Sequence, residues 1–398
     1  MKNSKKIKIT RRYFVKNTLK AATLLPLSGI PLQAFANNQL KEDLEFKQIN
    51  SKSLKILILG GTSFIGPHQI AYALKRGHQI TTFTRGKTIP TIYKKEFELV
   101  EQLIGDREDN LEALKGRKWD VVIDNSGRKV EWTKATAELL KDHVGLYVYV
   151  SSVSVYYPYY KANLKEDAPL VLKVPDNITD TDEKYTYDYG VMKANSEIEA
   201  RTIFGEDKTI VIRPTFMIGP ADRTNRFLYW PRQLAKNGDV IIPGKKDDPI
   251  QFIDVRDVAD WMIRLIENKT SGTYNAVGPA SKMTIHEFAK EAHSAFDTKV
   301  NFIEINDYKF LEDNELFYLM PWILENEKYH GISRVNIESS IKNGLTYRPL
   351  TTSIKDTHDW WYSKAVNEER RAAFESDEKE LHNRQEGILK KWKTYSNN

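Results

Sequence analysis

Lys55-Ile56-Leu57-Ile58-Leu59-Gly60-Gly61-Thr62-Ser63-Phe64-Ile65-Gly66 decides how the rest of the chain is read. Ile56 to Leu59 form a short, wholly apolar run, the pattern of a strand buried on both faces. Glycines follow at once, and a helical pattern then runs from Ile65 to Lys75 and stops at Gly77. Strand, glycine turn and helix together form a phosphate-binding unit. Gly60 permits the tight turn and Gly66 lets the helix pack closely on the strand. The helix N-terminus offers free N–H groups and a partial positive charge to a pyrophosphate.

Strand and helix patterns continue to alternate beyond this unit. Strands are expected at Gln79 to Thr84, Phe97 to Ile104, Asp120 to Ile123, Leu146 to Ser151 and Thr209 to Ile212. Helices are expected at Leu111 to Leu114, Val130 to Leu140 and Asp188 to Phe204. Such alternation predicts an α/β fold, a Rossmann-type doubly wound parallel sheet with a smaller C-terminal substrate-binding region. Lys161 to Lys184 reads as a long polar loop. Later elements are less regular, with helices near Arg226 to Lys236, Val255 to Ile266 and Ile285 to Ala295, and a strand at Ile250 to Ile253.

The chain has 398 residues, no cysteine and a formal charge of +6. The charge is unevenly placed. Residues 1–36 hold six Lys, two Arg and no acid; the remainder has 52 basic and 54 acidic residues, a net charge of −2. Nucleic-acid binding inferred from overall basicity therefore fails. Residues 1–36 read as a targeting segment. Arg11-Arg12 with Phe14 and Lys16 precede a modest apolar region, Leu19 to Leu32, broken by Pro26, Gly29 and Pro31. That region is too short and interrupted for a stable membrane span. Ala34-Phe35-Ala36 has the small-x-small form of a cleavage site. The segment resembles a twin-arginine (Tat) signal, which implies the Tat translocon as a transient partner and a periplasmic or otherwise exported destination. Without cysteines no disulfide forms; this fits export and does not establish it. The expected organisation is a signal peptide over 1–36, a leader over 37–53, a dinucleotide-binding domain over 54–215, an interleaved substrate-binding region over 216–365 and a charged, solvated helix over 366–398.

Two further stretches carry chemistry. Tyr189 and Lys193 stand at i and i+4, on one face of a helix. A phenol titrating near pH 10 is a poor base at neutral pH, and an adjacent ammonium favours its ionised form. Such a pair suits proton exchange with an alcohol while hydride moves to a nicotinamide. The other stretch is Tyr149-Val150-Ser151-Ser152-Val153-Ser154-Val155-Tyr156, a strand end with three serines, one of which would hold a substrate oxygen.

In this order the pieces resemble the extended short-chain dehydrogenase/reductase family, the NAD-dependent epimerase/dehydratase group. The likeness runs from Leu54 to Tyr362 and includes Gly105-Asp106-Arg107, Arg213-Pro214 with Gly219-Pro220, and Phe252 to Ala259. It implies Tyr189 as catalytic acid/base, Lys193 as its activator and ribose ligand, and Ser152 as the catalytic hydroxyl. It also implies a cofactor site at Gly60, Gly61, Ser63, Phe64, Ile65 and Gly66, with Asp106, Asn125 and Lys193. It implies a homodimer and a small-molecule substrate. His68 and His78 are scattered and no His, Asp or Glu cluster has metal-ligand spacing, so no metal is expected.

The departures from the family pattern carry information too. Ser63 replaces the middle glycine of the pyrophosphate loop. Thr84-Arg85-Gly86 lacks the acid that binds a ribose 2′-hydroxyl, and Arg85 suits a 2′-phosphate. NADP is therefore the expected cofactor, with NAD the second candidate. Val153 and Ser154 stand where 4,6-dehydratases carry their Asp-Glu pair. Ile250 replaces the arginine that grips a nucleotide-sugar diphosphate, and Phe216 an asparagine that contacts it. The segment with Arg223, Arg226, Phe227, Tyr229, Trp230 and Arg232 is aromatic and basic. Arg226 and Trp230 of this segment, with Phe216, are the expected substrate contacts. The expected function is an exported NAD(P)-dependent epimerase or oxidoreductase acting on a carbohydrate or related secondary alcohol. The alternatives are a cytoplasmic NADP-dependent reductase and a non-catalytic dinucleotide-binding protein.

Overall fold

Ile56 to Leu59 are without solvent exposure, because the strand they form has parallel neighbours on both edges and helices on both faces. The computed structural model describes residues 52–397. The twin-arginine segment and most of the leader lie outside the described residues. The strands are β1 (Lys55–Leu59), β2 (Gln79–Thr84), β3 (Glu101–Ile104), β4 (Trp119–Asp124), β5 (Val144–Val150), β6 (Thr209–Pro214), β7 (Met217–Ile218), β8 (Gly238–Pro243), β9 (Pro249–Asp254), β10 (Gly272–Ala276), β11 (Gly278–Thr284) and β12 (Val300–Ile305). Seven of them form one parallel sheet in the order β10-β6-β5-β4-β1-β2-β3. The order reverses between β1 and β4, and ligands bind at such a switch point, beyond the carboxyl ends of the strands.

The helices are α1 (Ile65–Lys75), α2 (Lys94–Glu98), α3 (Val130–Leu140), α4 (Thr181–Phe204), α5 (Tyr229–Leu234), α6 (Val255–Glu267) and α7 (Ile285–His293). After them come α8 (Tyr308–Asp313), α9 (Glu338–Lys342), α10 (Leu350–Tyr362), α11 (Glu368–Ser376) and α12 (Leu381–Ser396). Alternate residues of each strand point to opposite faces. Ile56, Ile58, Val121, Ile123 and Val148 therefore pack under α1 and α6, while Leu57, Leu59, Val122 and Tyr147 pack under α3 and α4. The sheet is doubly wound, as the alternation predicts. A second core lies among Trp230, Phe288, Ile305 and Trp322. The chain returns to the main sheet at β10, so the two regions are interleaved.

Phe97 to Ile104 is not one strand. Lys94–Glu98 is a helical turn, and only Glu101–Ile104 pairs with β2. Of the helical residues only Phe97 is buried, one apolar contact per turn rather than the alternation of a strand. The helix bearing Tyr189 starts at Thr181, not Asp188. Asp180 caps it by accepting from the Glu183 amide at 2.9 Å, and Asp182 and Glu183 suit its positive end. The expected single C-terminal helix is two, and Phe374, Leu381 and Ile388 are buried beneath them.

Candidate active site

At the end of β1, Gly60 and Gly61 have φ of +99° and +96°, backbone that only glycine adopts freely. A Cβ on Gly66 would stand 2.4 Å from the Gly61 Cα, so the helix start sits directly on the turn. The first turn of α1 carries no acid. Ser63 is exposed beside Phe64, which is held at φ +46°, and Ile65 is buried. A Cβ on Gly60 would lie 3.7 Å from that of Asn125, and the Asn125 amide donates to Gln69 of α1 at 2.6 Å. Turn, helix N-terminus and Asn125 thus meet, a cradle that fits a dinucleotide pyrophosphate. His68 in α1 is buried, its Nε2 3.2 Å from the Pro220 carbonyl oxygen. Burial lowers its pKa to about 4, so it is neutral.

Arg85 follows the last residue of β2, exposed and without an ion pair among the described residues. The Gly86 amide donates to Thr84 Oγ1 at 3.1 Å and shapes this exit. Asp106 lies beyond β3 in a bridge with Asn110. Arg107 turns inward and binds the fully buried Asp124, with Nη2 to Oδ2 at 2.9 Å. Asp124 also accepts from Tyr147 at 2.7 Å. Burial pushes its pKa upward, but the Arg107 charge and bonds outweigh that and hold it below the usual carboxylate value.

The catalytic candidates converge at the end of β5. Ser152 caps the turn Val153–Tyr156, its Oγ accepting from the Ser154 amide at 3.1 Å and lying 2.9 Å from Ser154 Oγ. Gly190, next to Tyr189, permits the contact with α4, because a Cβ there would meet the Ser154 carbonyl oxygen at 2.4 Å. Lys193 is buried and donates to the Val150 carbonyl at 2.8 Å. Its ammonium lies 5.9 Å from the Tyr189 ring centroid and 4.9 Å from that of Tyr149. Burial works to lower its pKa, but the neighbouring Tyr149, Tyr189 and Asp124 oxygens win and raise it. A charged ammonium beside a phenol is the arrangement that proton exchange with an alcohol needs.

One more turn along α4 stands a residue that sequence reasoning passed over. Glu197 is without exposure and accepts from Arg213 Nε at 3.0 Å and Nη2 at 2.7 Å. It also receives the hydroxyl of Ser151, the neighbour of Ser152. Arg213 Nη1 donates to the Tyr156 hydroxyl at 2.7 Å, which donates to Asn275 Oδ1 at 2.8 Å. Burial pushes the Tyr156 phenol up to about 12. One network thus joins α4, the serine strand end, β6 and β10. The available signal was spacing, since Tyr189, Lys193 and Glu197 fall at i, i+4 and i+8.

The expected substrate contacts fare unevenly. Phe216 is half-buried between two apolar clusters. Arg226 is half-buried, its Nε donating to Thr224 Oγ1 at 2.7 Å. Trp230 is without exposure, donates to the Met320 carbonyl at 2.7 Å and meets the Phe288 ring edge at 5.2 Å. It is a core side chain with no face for a ligand. The aromatic run around it records the buried side of α5. Among the described residues no group of three or more His, Asp or Glu is placed to hold a metal. None of their helices is long and apolar enough to cross a membrane.

A seven-stranded doubly wound sheet with a glycine turn at its switch point defines a dinucleotide-binding α/β protein. The family model described as "NAD dependent epimerase/dehydratase family" matches residues 56–277, more than half of the chain. The chain belongs to that family. Chloroplast stem-loop binding protein of 41 kDa b of Arabidopsis thaliana is 27% identical over 231 residues, 55% of this chain and 57% of that protein. The chain thus matches little more than half the length of that relative. Epimerase family protein SDR39U1 of Bos taurus is 23% identical over 61% of this chain and 80% of its own. Among solved structures, a UDP-N-acetylglucosamine 4-epimerase from Methanobrevibacter ruminantium superposes with a TM-score of 0.56 at 18% identity, covering 78% of this chain and 98% of its own. The Bordetella bronchiseptica enzyme WbmH, solved with NAD+, gives 0.54 at 16% identity, over 79% and 100%. At such identities the structures speak for the fold alone.

Proposed function

We propose that the chain is an NAD(P)-dependent epimerase or oxidoreductase acting on a carbohydrate or related secondary alcohol. The observation that carries this reading is Tyr189 beside the Lys193 ammonium, joined through Gly190 to the Ser152 turn. When bound, the nicotinamide supplies the hydride acceptor at its C4. Tyr189 takes the hydroxyl proton as hydride leaves the carbinol carbon, and a carbonyl forms there. Ser152 Oγ donates to the oxygen that changes charge. Lys193 stays protonated and keeps the phenol near its working state. Gly60, Gly61, Ser63, Phe64, Ile65, Gly66 and Asn125 would hold the pyrophosphate side, and Asp106 the adenine side. Exposed Arg85 supports NADP over NAD.

Ile250 is buried inside the second core, and Phe216 is packed between clusters. Neither offers a diphosphate a charge, which supports a substrate without a nucleoside diphosphate handle. The net charge of −2 beyond residue 36 speaks against carrying over the stem-loop binding in the Arabidopsis relative's name.

The twin-arginine pattern supports export of the folded protein with its cofactor inside. A cofactor carried out in this way must be regenerated in the same site. Redox-neutral epimerisation, or coupled oxidation and reduction of two substrates, then fits better than net dehydrogenation. Denaturing the purified exported protein and chromatographing the released nucleotide tests this reading. The expected result is about one NADP(H) or NAD(H) per chain. Nucleotide-free protein that works only with high added cofactor overturns the carried-cofactor reading, and recovery only from the cytoplasm overturns export.

A further inference from the structure

Pro220 pins the start of a loop against the phosphate-binding helix. Its carbonyl oxygen lies 3.2 Å from Nε2 of His68, two residues past Gly66. Ala221, next along, packs in one apolar cluster with Leu228, Trp360, Trp361 and Val366, and Ile92 packs against that cluster. Ile92 belongs to the connection that leaves β2 through Arg85. The loop 220–226 therefore starts against the phosphate-binding helix and packs, through Ala221, near the connection that follows β2.

This loop is held in a special shape. Ala221 and Asn225 are non-glycine residues at φ +70° and +60°. Arg370, from α11, fastens it by donating to the Asp222 carbonyl at 2.6 Å and to the Asn225 side chain. Its guanidinium also stacks on Trp360 and Trp361, 5.2 and 5.6 Å from their ring centroids.

Arg223 and Arg226 stand on this loop, and Arg370 is fastened to it. The loop's one carboxylate, Asp222, is buried, and the Thr224 hydroxyl lies 2.7 and 2.8 Å from its two oxygens. Among the described residues the side-chain partners of Arg226 and Arg370 are neutral oxygens. Arg223 is exposed and forms no ion pair among the described residues. Burial lowers the pKa of Arg370 to about 10; Asp222 opposes the shift and Arg223 adds to it. Cations gathered at one loop, whose single carboxylate is buried and bonded to a hydroxyl, form a site for an oxyanion.

We propose that loop 220–226 is the second wall of the cofactor's diphosphate site. Arg223 and Arg226 close over the pyrophosphate that the glycine turn holds from beneath, and Arg370 positions the loop. This inference rests on the dinucleotide reading above. Pyrophosphate is common to NAD and NADP, so the wall acts on both, whereas Arg85 acts on a 2′-phosphate alone.

The test is titration of the nucleotide-free full chain with NADH and NADPH, followed by quenching of tryptophan emission. It compares wild type, Arg223→Ala, the Arg223→Ala/Arg226→Ala pair and Arg370→Lys. The expected result is a several-fold loss for Arg223→Ala and about 10–100-fold for the pair, equal for both nucleotides, with a shallower dependence on salt. Arg370→Lys keeps the charge and loses the two-point grip, so it falls between wild type and the pair. Arg223 is exposed, so its variant separates lost binding from lost folding. Unchanged affinity for both nucleotides overturns the proposal, as does a loss confined to NADPH, which would place the arginines at the 2′-phosphate. Unchanged nucleotide affinity with impaired turnover would assign the cations to a substrate anion and also overturn it. Wild type that binds neither nucleotide defeats the dinucleotide reading itself.

Discussion

The buried charges at the strand ends of the main sheet are answered from within the chain; among the described residues the arginines at the β2 exit and on loop 220–226 have no ion-pair partner. Glu197 meets Arg213, and Asp124 meets Arg107, in places closed to solvent. Arg85 and Arg223 stand exposed, and Arg226 has a neutral hydroxyl for its partner. A buried ion that lost its partner would cost several kcal/mol, so such pairs must be complete before any ligand arrives. An exposed arginine keeps its water at little cost until an anion displaces it. The contrast separates residues that build the site from residues proposed to receive a ligand.

Removing one half of a completed pair has the largest expected effect. Glu197→Ala strands the Arg213 charge and loosens Ser151, and urea unfolding should show a loss of about 3–5 kcal/mol. Glu197→Gln, which keeps an acceptor for Ser151, should lose less. A loss below about 1 kcal/mol would mean that Arg213 finds water, and the contrast would fail.

His68 gives a comparable effect through pH. Its pKa is about 4 in the folded chain and about 6.5 when unfolded. Between these values the unfolded state binds more protons, so stability rises with pH. The contribution is fully present above pH 6.5 and is lost as pH falls through 4, amounting to about 3 kcal/mol. Melting curves of wild type and His68→Gln should diverge in shape across that window. Parallel curves would show that His68 is hydrated.

Gly190→Ala comes next. The new methyl would meet the Ser154 carbonyl oxygen at 2.4 Å, and the shift of α4 away from the serine turn should cost about 1–3 kcal/mol. Unchanged unfolding would mean that helix and turn are less tightly joined than the geometry shows.

Arg85→Ala has the smallest effect and is confined to the receiving side. Stability should be unaffected, while NADPH affinity falls about tenfold, near 1.4 kcal/mol. NADH affinity should stay within about twofold. Equal losses for both would move Arg85 from the 2′-phosphate to another part of the cofactor.

The legibility of the sequence followed the same division. The stretch Lys55 to Gly66 predicts its strand and helix correctly, because a fully buried strand and a glycine turn are local patterns. Val130–Leu140 and Gln79–Thr84 are legible for the same reason. The Tyr189–Lys193 pair is legible because helix spacing alone brings the two side chains together. Glu197, although on the same face, gains its meaning only from Arg213, Ser151 and Tyr156 on other elements. Trp230 was misread because a buried aromatic face and a ligand-stacking face share one sequence pattern. The start of α4 was hidden by charged residues that signal a helix only once Asp180 is seen to cap it. The meeting of Arg370 with loop 220–226 joins residues far apart in the chain, and no local pattern announces it.

The central claim is that Tyr189 moves the proton while hydride passes to a bound nicotinamide. It is tested by mixing NAD(P)+-loaded protein with a panel of sugars and secondary alcohols and following reduced nicotinamide by its absorbance near about 340 nm. The account predicts that at least one compound reduces the wild-type nucleotide. It predicts that Tyr189→Phe, with the same nucleotide content, is slower by about 100-fold or more. Reduction at the wild-type rate in Tyr189→Phe would contradict it.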